Sequence, residues 1–167
     1  MLMLGWVVGK GSTPLDNWFQ GFHHSPVRWL QLLAYPQVTA AVLVGCVAIA
    51  VSRRQWYLAA AAVLAPAAGV VLARLSKLVF ERRKGHGDIF AYPSGHLTFT
   101  VVVLGMAILL AGASWWAVLG AIAWILLAMV GVGVSFHYFT DTVGGLLLGT
   151  SIVCVVALIL GLAPHRT

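Results

Sequence analysis

Two histidines and a basic stretch are the parts of this sequence best suited to chemistry. Residues 74–96 hold five of the ten lysines and arginines and end in Pro93-Ser94-Gly95-His96, directly before a long uncharged run. His137 is followed four positions later by Asp141. Crowded positive charge beside an apolar run is costly unless it meets an anion, and a helix beginning at Ser94 would direct backbone N–H groups to the same place. These residues predict a phosphate-binding site.

The composition places that site in a membrane protein. The chain of 167 residues is 61% hydrophobic and 8% charged, with a mean hydropathy of +0.97, outside the range of soluble domains. The formal charge of +6 sits between apolar runs with no soluble domain to present it, which favours anionic lipid or a phosphorylated substrate over nucleic acid. Cys46 and Cys154 lie in apolar runs and predict neither a disulfide nor a metal site.

The apolar runs predict an all-α, polytopic transmembrane helical bundle of about five spans. We expect one membrane-embedded domain, 1–167, made of an N-terminal interfacial segment, 1–35, and a helical core, 36–163. Residues 1–9 are too short for a span, which needs about 20 residues, so either the start is truncated or five spans suffice. Aromatic and polar residues in 10–35 favour interfacial helices, with Asp16 as an N-cap. The predicted spans are 38–51, 55–73, 95–112, 115–134 and 142–163.

Counting crossings puts the candidate residues on one membrane face. The basic stretch follows the second span, and the turn from His137 to Asp141 comes two crossings later. By the positive-inside rule the basic stretch favours a cytoplasmic site. If its residues bind substrate instead, Arg53, Arg54 and Arg166 on the other face favour an outward site. We expect a multi-pass plasma-membrane protein with its site on the extracytoplasmic face, and a homo-oligomer would cover its exposed side.

These motifs resemble the type-2 phosphatidic acid phosphatase family, which shares its site with the vanadium haloperoxidases. The family carries Lys-x6-Arg-Pro, then Pro-Ser-Gly-His, then Ser-Arg-x5-His-x3-Asp. The second motif is intact at residues 93–96, and the His-x3-Asp half of the third is intact at His137 and Asp141. In the first motif Lys77 fits, but Lys84 and Gly85 replace arginine and proline. In the third, the Ser-Arg pair falls at Val130-Gly131, so that arginine is absent.

The resemblance implies a metal-independent and cofactor-independent phosphatase that acts through a phosphohistidine. His137 would attack phosphorus, Asp141 would hold its other ring nitrogen, and His96 would protonate the leaving oxygen. The phosphate oxygens would meet cationic side chains and backbone N–H groups. The residues implied for that binding are Lys77, Lys84, one of Arg82 and Arg83, and the stretch Ser94, Gly95 and His96.

Other interpretations of the same residues remain open. Ser94 and Asp141 also fit helix caps, and His86 and Asp88 fit either a substrate contact or a solvated loop. The substrate would be a membrane lipid, and polyprenyl phosphates or diphosphates, phosphatidic acid and phosphatidylglycerophosphate all fit. The altered motifs favour a second hypothesis, a non-catalytic phospholipid-binding protein or assembly subunit. A third is a metal site built from His86, Asp88, His96, His137 and Asp141.

Overall fold

The computed structural model describes residues 1–84 and 90–162, and these form an all-α protein. Their regular structure comprises seven α-helices, one 3₁₀ helix and an isolated β-bridge between Arg83 and Phe90. The helices are α1 (Leu2–Val8), α2 (Pro14–Gln20), the 3₁₀ helix (Pro26–Ala34), α3 (Pro36–Ser52), α4 (Trp56–Phe80), α5 (Gly95–Leu110), α6 (Trp115–Ser135) and α7 (Phe139–Ile159).

Four apolar helical segments are long enough to cross a membrane, which makes the chain a plausible multi-pass membrane protein. They are Pro26–Ser52, which is made of the 3₁₀ helix and α3, together with α4, α6 and α7. The remaining predicted span, 95–112, corresponds to α5, which has only 16 residues, short of the roughly 20 that a bilayer requires. Exposed aromatic rings, including Trp56 and Trp116, mark the first residues of α4 and α6. Tryptophan in such positions is typical of a membrane interface.

Helix α5 is the central helix of the bundle, in contact with α3, α4, α6 and α7. Ten of its 16 residues are buried. It packs very closely against α7, because a Cβ on Gly145 would collide with the carbonyl of Ser94. This small-residue contact joins the first turn of α5 to the first turns of α7. The two segments that carry the intact motifs are therefore direct neighbours.

Two helix boundaries differ from the sequence prediction in ways that matter for the site. Helix α4 continues to Phe80, beyond the predicted end at residue 73, so Lys77 lies in its last turn. Helix α7 begins at Phe139 instead of 142, so Asp141 is its third residue. The carboxylate of Asp141 accepts the backbone N–H of Tyr138 at 3.0 Å. Tyr138 is therefore the N-cap of α7, and Asp141 supports the start of the helix from its third position.

The N-terminal segment forms separate short helices, and its cap differs from the prediction. Thr13, not Asp16, is the N-cap of α2. Its hydroxyl accepts the N–H of Asp16 at 3.2 Å, and the carboxylate of Asp16 accepts the N–H of Thr13 at 2.9 Å. This reciprocal pair is a capping box with aspartate in its third helical position. Asp16 is fully buried, which a surface cap does not require.

Candidate active site

The two histidines of the motifs lie side by side at one end of the bundle. His96 is the second residue of α5, His137 lies between α6 and α7, and their ring centroids are 6.2 Å apart. Nδ1 of His137 is 3.7 Å from Oδ2 of Asp141 and hydrogen-bonds no residue within 1–84 or 90–162. The structure therefore brings the two motifs together at one end of the bundle.

Lys77 completes the group from the end of α4. Its side chain is half-buried in the last turn of α4, a helix that packs against both α5 and α7, and its charge acts on Asp141 and His96. Across the described ranges, neither Lys77 Nζ nor the His96 ring hydrogen-bonds another residue. The N–H groups of Gly95 and His96 precede the first backbone bond of α5, from Thr98 to Ser94. One cation, two imidazoles and two backbone donors thus remain open to a small anion.

Ser94 has a different role from the one the resemblance implies. It is fully buried, and its hydroxyl caps α5 by accepting the N–H of Leu97. Its own backbone N–H donates to the carbonyl of Asp141 at 3.0 Å. Because that donor is already engaged, we assign Ser94 to holding α5 against α7 and retain Gly95 and His96 as the anion-facing amides.

Arg82 is engaged by the protein at every donor. Its side chain is 1% exposed. Nη1 donates to Thr140 Oγ1 and Asp141 Oδ1, both at 2.7 Å, and Nη2 donates to Asp16 Oδ2 and to the Gly11 carbonyl, both at 2.8 Å. Nε also donates to the Gly11 carbonyl. A guanidinium has five N–H donors, so the arrangement leaves none for a phosphate. The resemblance implied this contact for one of Arg82 and Arg83, and for Arg83 it stays a prediction.

The remaining basic residues flank the site. Lys84 Nζ donates to the carbonyls of Ser135 and His137, both at 3.1 Å. Burial lowers the pKa of Lys84, partly offset by the negative charges of Asp141 and Asp16. Arg83 is exposed, with its guanidinium over the ring of Phe90. Lys84 therefore binds carbonyls at the end of α6, and no observation tests its expected contact with phosphate.

An N-terminal clamp, residues 10–24, surrounds the turn that carries His137, and sequence reasoning missed it. Gln20 Nε2 donates to the Gly133 carbonyl at 2.9 Å and more weakly to that of His137. The ring of His23 meets the Val134 carbonyl at 3.1 Å. These side chains satisfy carbonyls that the end of α6 leaves unpaired. Only the local polarity of residues 10–24 could have signalled a role beyond the interface.

Asp16 is the charged centre of that clamp. It accepts both the N–H and the hydroxyl of Thr140 at 2.9 Å, besides its bonds to Thr13 and Arg82. Burial would raise the pKa of Asp16, but hydrogen bonds from Thr140 and Thr13 outweigh it and hold that pKa below the usual 3.8. The carboxylate therefore stays ionised at neutral pH. Nearby, burial raises the pKa of Tyr92 to about 12, and its hydroxyl donates to the Met1 carbonyl.

Gly131 stands where the third motif of the family has arginine, and the protein leaves no room for a side chain at this position. A Cβ on Gly131 would collide with the backbone of Leu30 and Gln31 in the 3₁₀ helix. Gln31 in turn donates weakly to the Tyr35 hydroxyl, and the Tyr35 ring lies 6.2 Å from that of Phe136. Phe136 stacks against His96. The glycine therefore serves close packing of α6 against the 3₁₀ helix.

Within residues 1–84 and 90–162 there is no group of three His, Cys, Asp or Glu side chains able to hold a metal. His86 and Asp88 of the metal hypothesis lie outside these ranges, so that hypothesis stays a prediction. A cavity of about 490 Å³ lies at the opposite end of α4, lined by residues such as Arg54, Tyr57 and Leu160. The histidines instead lie where α5 and α7 begin.

Fold and site together define a helical, plausibly polytopic membrane protein with a histidine pair at one end of the bundle. Comparisons of the chain with protein-family models, with curated proteins and with solved structures found no significant match.

Proposed function

We propose that this chain is an integral-membrane, metal-independent lipid phosphatase of the type-2 phosphatidic acid phosphatase kind. One observation carries the proposal: the rings of His96 and His137 are 6.2 Å apart, beside a half-buried Lys77 that is unpaired within the described ranges. Unpaired polar groups of this kind at the end of an apolar bundle are costly unless a ligand meets them. A tetrahedral phosphate offers each of them an oxygen or the phosphorus atom.

We assign the two histidines different roles. Nδ1 of His137 faces Asp141, so Nε2 is the nitrogen directed to phosphorus. Its lone pair forms the P–N bond as the P–O bond to the lipid breaks, and His96 gives the leaving oxygen a proton. Water then attacks phosphorus while His96 takes one of its protons, the P–N bond breaks with its electron pair returning to Nε2, and inorganic phosphate leaves. Asp141 stabilises the imidazolium, with its 3.7 Å contact shortening as charge develops.

Charge stabilisation rests on fewer groups than the motif resemblance implies. Arg82 has no free donor and Gly131 has no side chain. Lys77 and the first N–H groups of α5 are left to balance the phosphate oxygens, with support from Lys84. We infer that the site accepts a terminal phosphate close to the membrane surface. The substrate is then an amphiphile whose tail lies in the bilayer, such as a polyprenyl phosphate or a phospholipid.

The direct test is phosphate release by purified protein in detergent, with chelator present and a panel of polyprenyl and glycerol-based lipid phosphates. The wild type should release phosphate from at least one lipid. His137→Ala should abolish the release, and Lys77→Met should raise KM, whereas Arg74→Met on the exposed side of α4 should change neither. Activity that survives in His137→Ala would exclude the phosphohistidine route.

The second candidate is a non-catalytic phospholipid-binding protein or assembly subunit. It is favoured by the engagement of all five Arg82 donors and by the filled space at Gly131. Vanadate binding that is lost in Lys77→Met, with no turnover on any lipid of the panel, would support this candidate and exclude the phosphatase.

A further inference from the structure

We propose that Asp16 is a positioning residue that acts through Arg82 on the Asp141–His137 pair. The inference rests on the proposed phosphatase and names a residue outside all of its motifs. Asp16 lies on α2, 121 positions before His137 by residue number. It reaches the pair through direct contacts between buried groups.

The contacts form one continuous line of charged atoms. Asp16 Oδ2 is 2.8 Å from Arg82 Nη2, and Arg82 Nη1 is 2.7 Å from Asp141 Oδ1. The other oxygen of Asp141 is the one 3.7 Å from His137 Nδ1. Thr140 ties the ends together, since its hydroxyl accepts from Arg82 and donates to Asp16. Asp16 thus fixes both the guanidinium and the residue next to Asp141.

Besides holding Arg82 in place, Asp16 changes the net charge of the buried group that faces the His137 ring. Asp16, Arg82 and Asp141 are each at most 1% exposed and together carry a formal charge of −1. Without Asp16 the sum is zero, and Asp141 would hold an imidazolium less firmly because Arg82 would neutralise it. The other charged or titratable groups around the turn are Lys77, Lys84, His96, His23, Tyr92 and Tyr138, and none of them is a carboxylate.

The chain has few other sources of negative charge. It contains four acidic residues. Of these, Glu81 is exposed and pairs with Lys10 at 3.0 Å, and Asp88 lies outside the described ranges. The Lys10–Glu81 pair joins the same two segments as the Asp16–Arg82 pair, but at the surface. A variant of this exposed pair therefore serves as the matched control, because it loses an ion pair between the same two segments without changing the buried charge.

The test measures kcat/KM against pH for the full chain in detergent. The readout is the direction in which each variant shifts the acidic limb, the pH range where kcat/KM falls on the acid side. Asp16→Asn should move the limb to lower pH, because a more positive surrounding disfavours the imidazolium form of the His137 ring, and should reduce kcat by about tenfold with little change in KM. Arg82→Gln should move it to higher pH. The double variant restores the formal charge of −1 and should return the limb toward the wild type, while Glu81→Gln should leave it in place.

An NMR titration of the His137 ring in labelled protein reads out the same effect without turnover. Failure of the wild type to release phosphate would count against the proposed function only, and the ring titration would still decide the role of Asp16. Equal profiles for Asp16→Asn and Glu81→Gln would overturn the inference. So would a double variant that is displaced as far as Asp16→Asn. If Asp16→Asn does not fold, the comparison of the double variant with Arg82→Gln decides.

Discussion

Nη1 of Arg82 lies 2.7 Å from Oδ1 of Asp141, the carboxylate whose other oxygen faces His137. The chain therefore uses its buried guanidinium on the residue behind the proposed nucleophile instead of on the phosphate. That arrangement accounts for the burial of Arg82 and ties the N-terminal helices to the start of α7. It also makes the stability of the turn depend on charges far apart in sequence.

Removal of Arg82 should strongly destabilise the fold. Arg82→Met leaves Asp16 and Asp141 buried without their common partner, and the free energy of unfolding should fall by about 3–5 kcal/mol. Denaturant titration in detergent measures this change. The exposed pair supplies the control, because Glu81→Gln should cost less than about 1 kcal/mol. Similar losses in the two variants would contradict a structural role for the buried ions.

Two glycines of α6 should respond in opposite directions to alanine. Gly131→Ala places a methyl group against the backbone of the 3₁₀ helix, where little can shift, and should cost about 1–3 kcal/mol. Gly120 has open space around its Cβ position, so Gly120→Ala should be neutral or stabilise by up to about 1 kcal/mol. Thermal unfolding of the two variants checks the contrast. Gly131→Arg should not improve activity, because the backbone of the 3₁₀ helix occupies the space that the arginine side chain would need. A gain in activity would show that the 3₁₀ helix can move away from α6.

The role of His96 should depend on the leaving group. With a lipid phosphate, His96→Ala should lower kcat/KM by about 10²–10⁴-fold, since an alkoxide needs a proton as it leaves. With p-nitrophenyl phosphate the loss in kcat/KM should be much smaller, because nitrophenolate leaves without one. His137→Ala should lose both activities. The comparison uses kcat/KM, which reports transfer of the phosphoryl group to His137 and not the later hydrolysis that His96 also assists, and an equal loss of kcat/KM on both substrates would remove the general-acid role.

Acid should weaken the N-terminal clamp through Asp16. Its pKa is held below 3.8 by hydrogen bonds from Thr140 and Thr13 despite burial, so the unfolded chain takes up the proton first. The stabilisation is complete above about pH 5 and is lost as the pH falls through the lower folded value. Unfolding curves should show that the free energy of unfolding decreases as the pH is lowered from 6 to 3. Asp16→Asn should make this dependence on pH weaker. An unchanged slope would mean that Asp16 does not set the acid limit.

The sequence by itself determined the helical class, the order of the apolar segments and the meeting of His96 with the turn from His137 to Asp141. Hydrophobic run length reports local helix formation, and counting crossings of a bundle fixes which turns share an end. The predicted C-terminus of α4 and the predicted N-terminus of α7 are wrong. Residues such as Lys77 and Asp141 interrupt the apolar pattern although they lie within the helices.

Only the tertiary structure decided which donors are already engaged. The sequence left open whether Arg82 or Arg83 would bind phosphate, and gave no sign that Asp16 would meet Thr140 across 124 positions. A basic side chain has the same local signature whether it meets a ligand or a buried carboxylate. The difference lies in long-range pairing, which depends on how α2, α4 and α7 pack and which no local pattern of residues encodes.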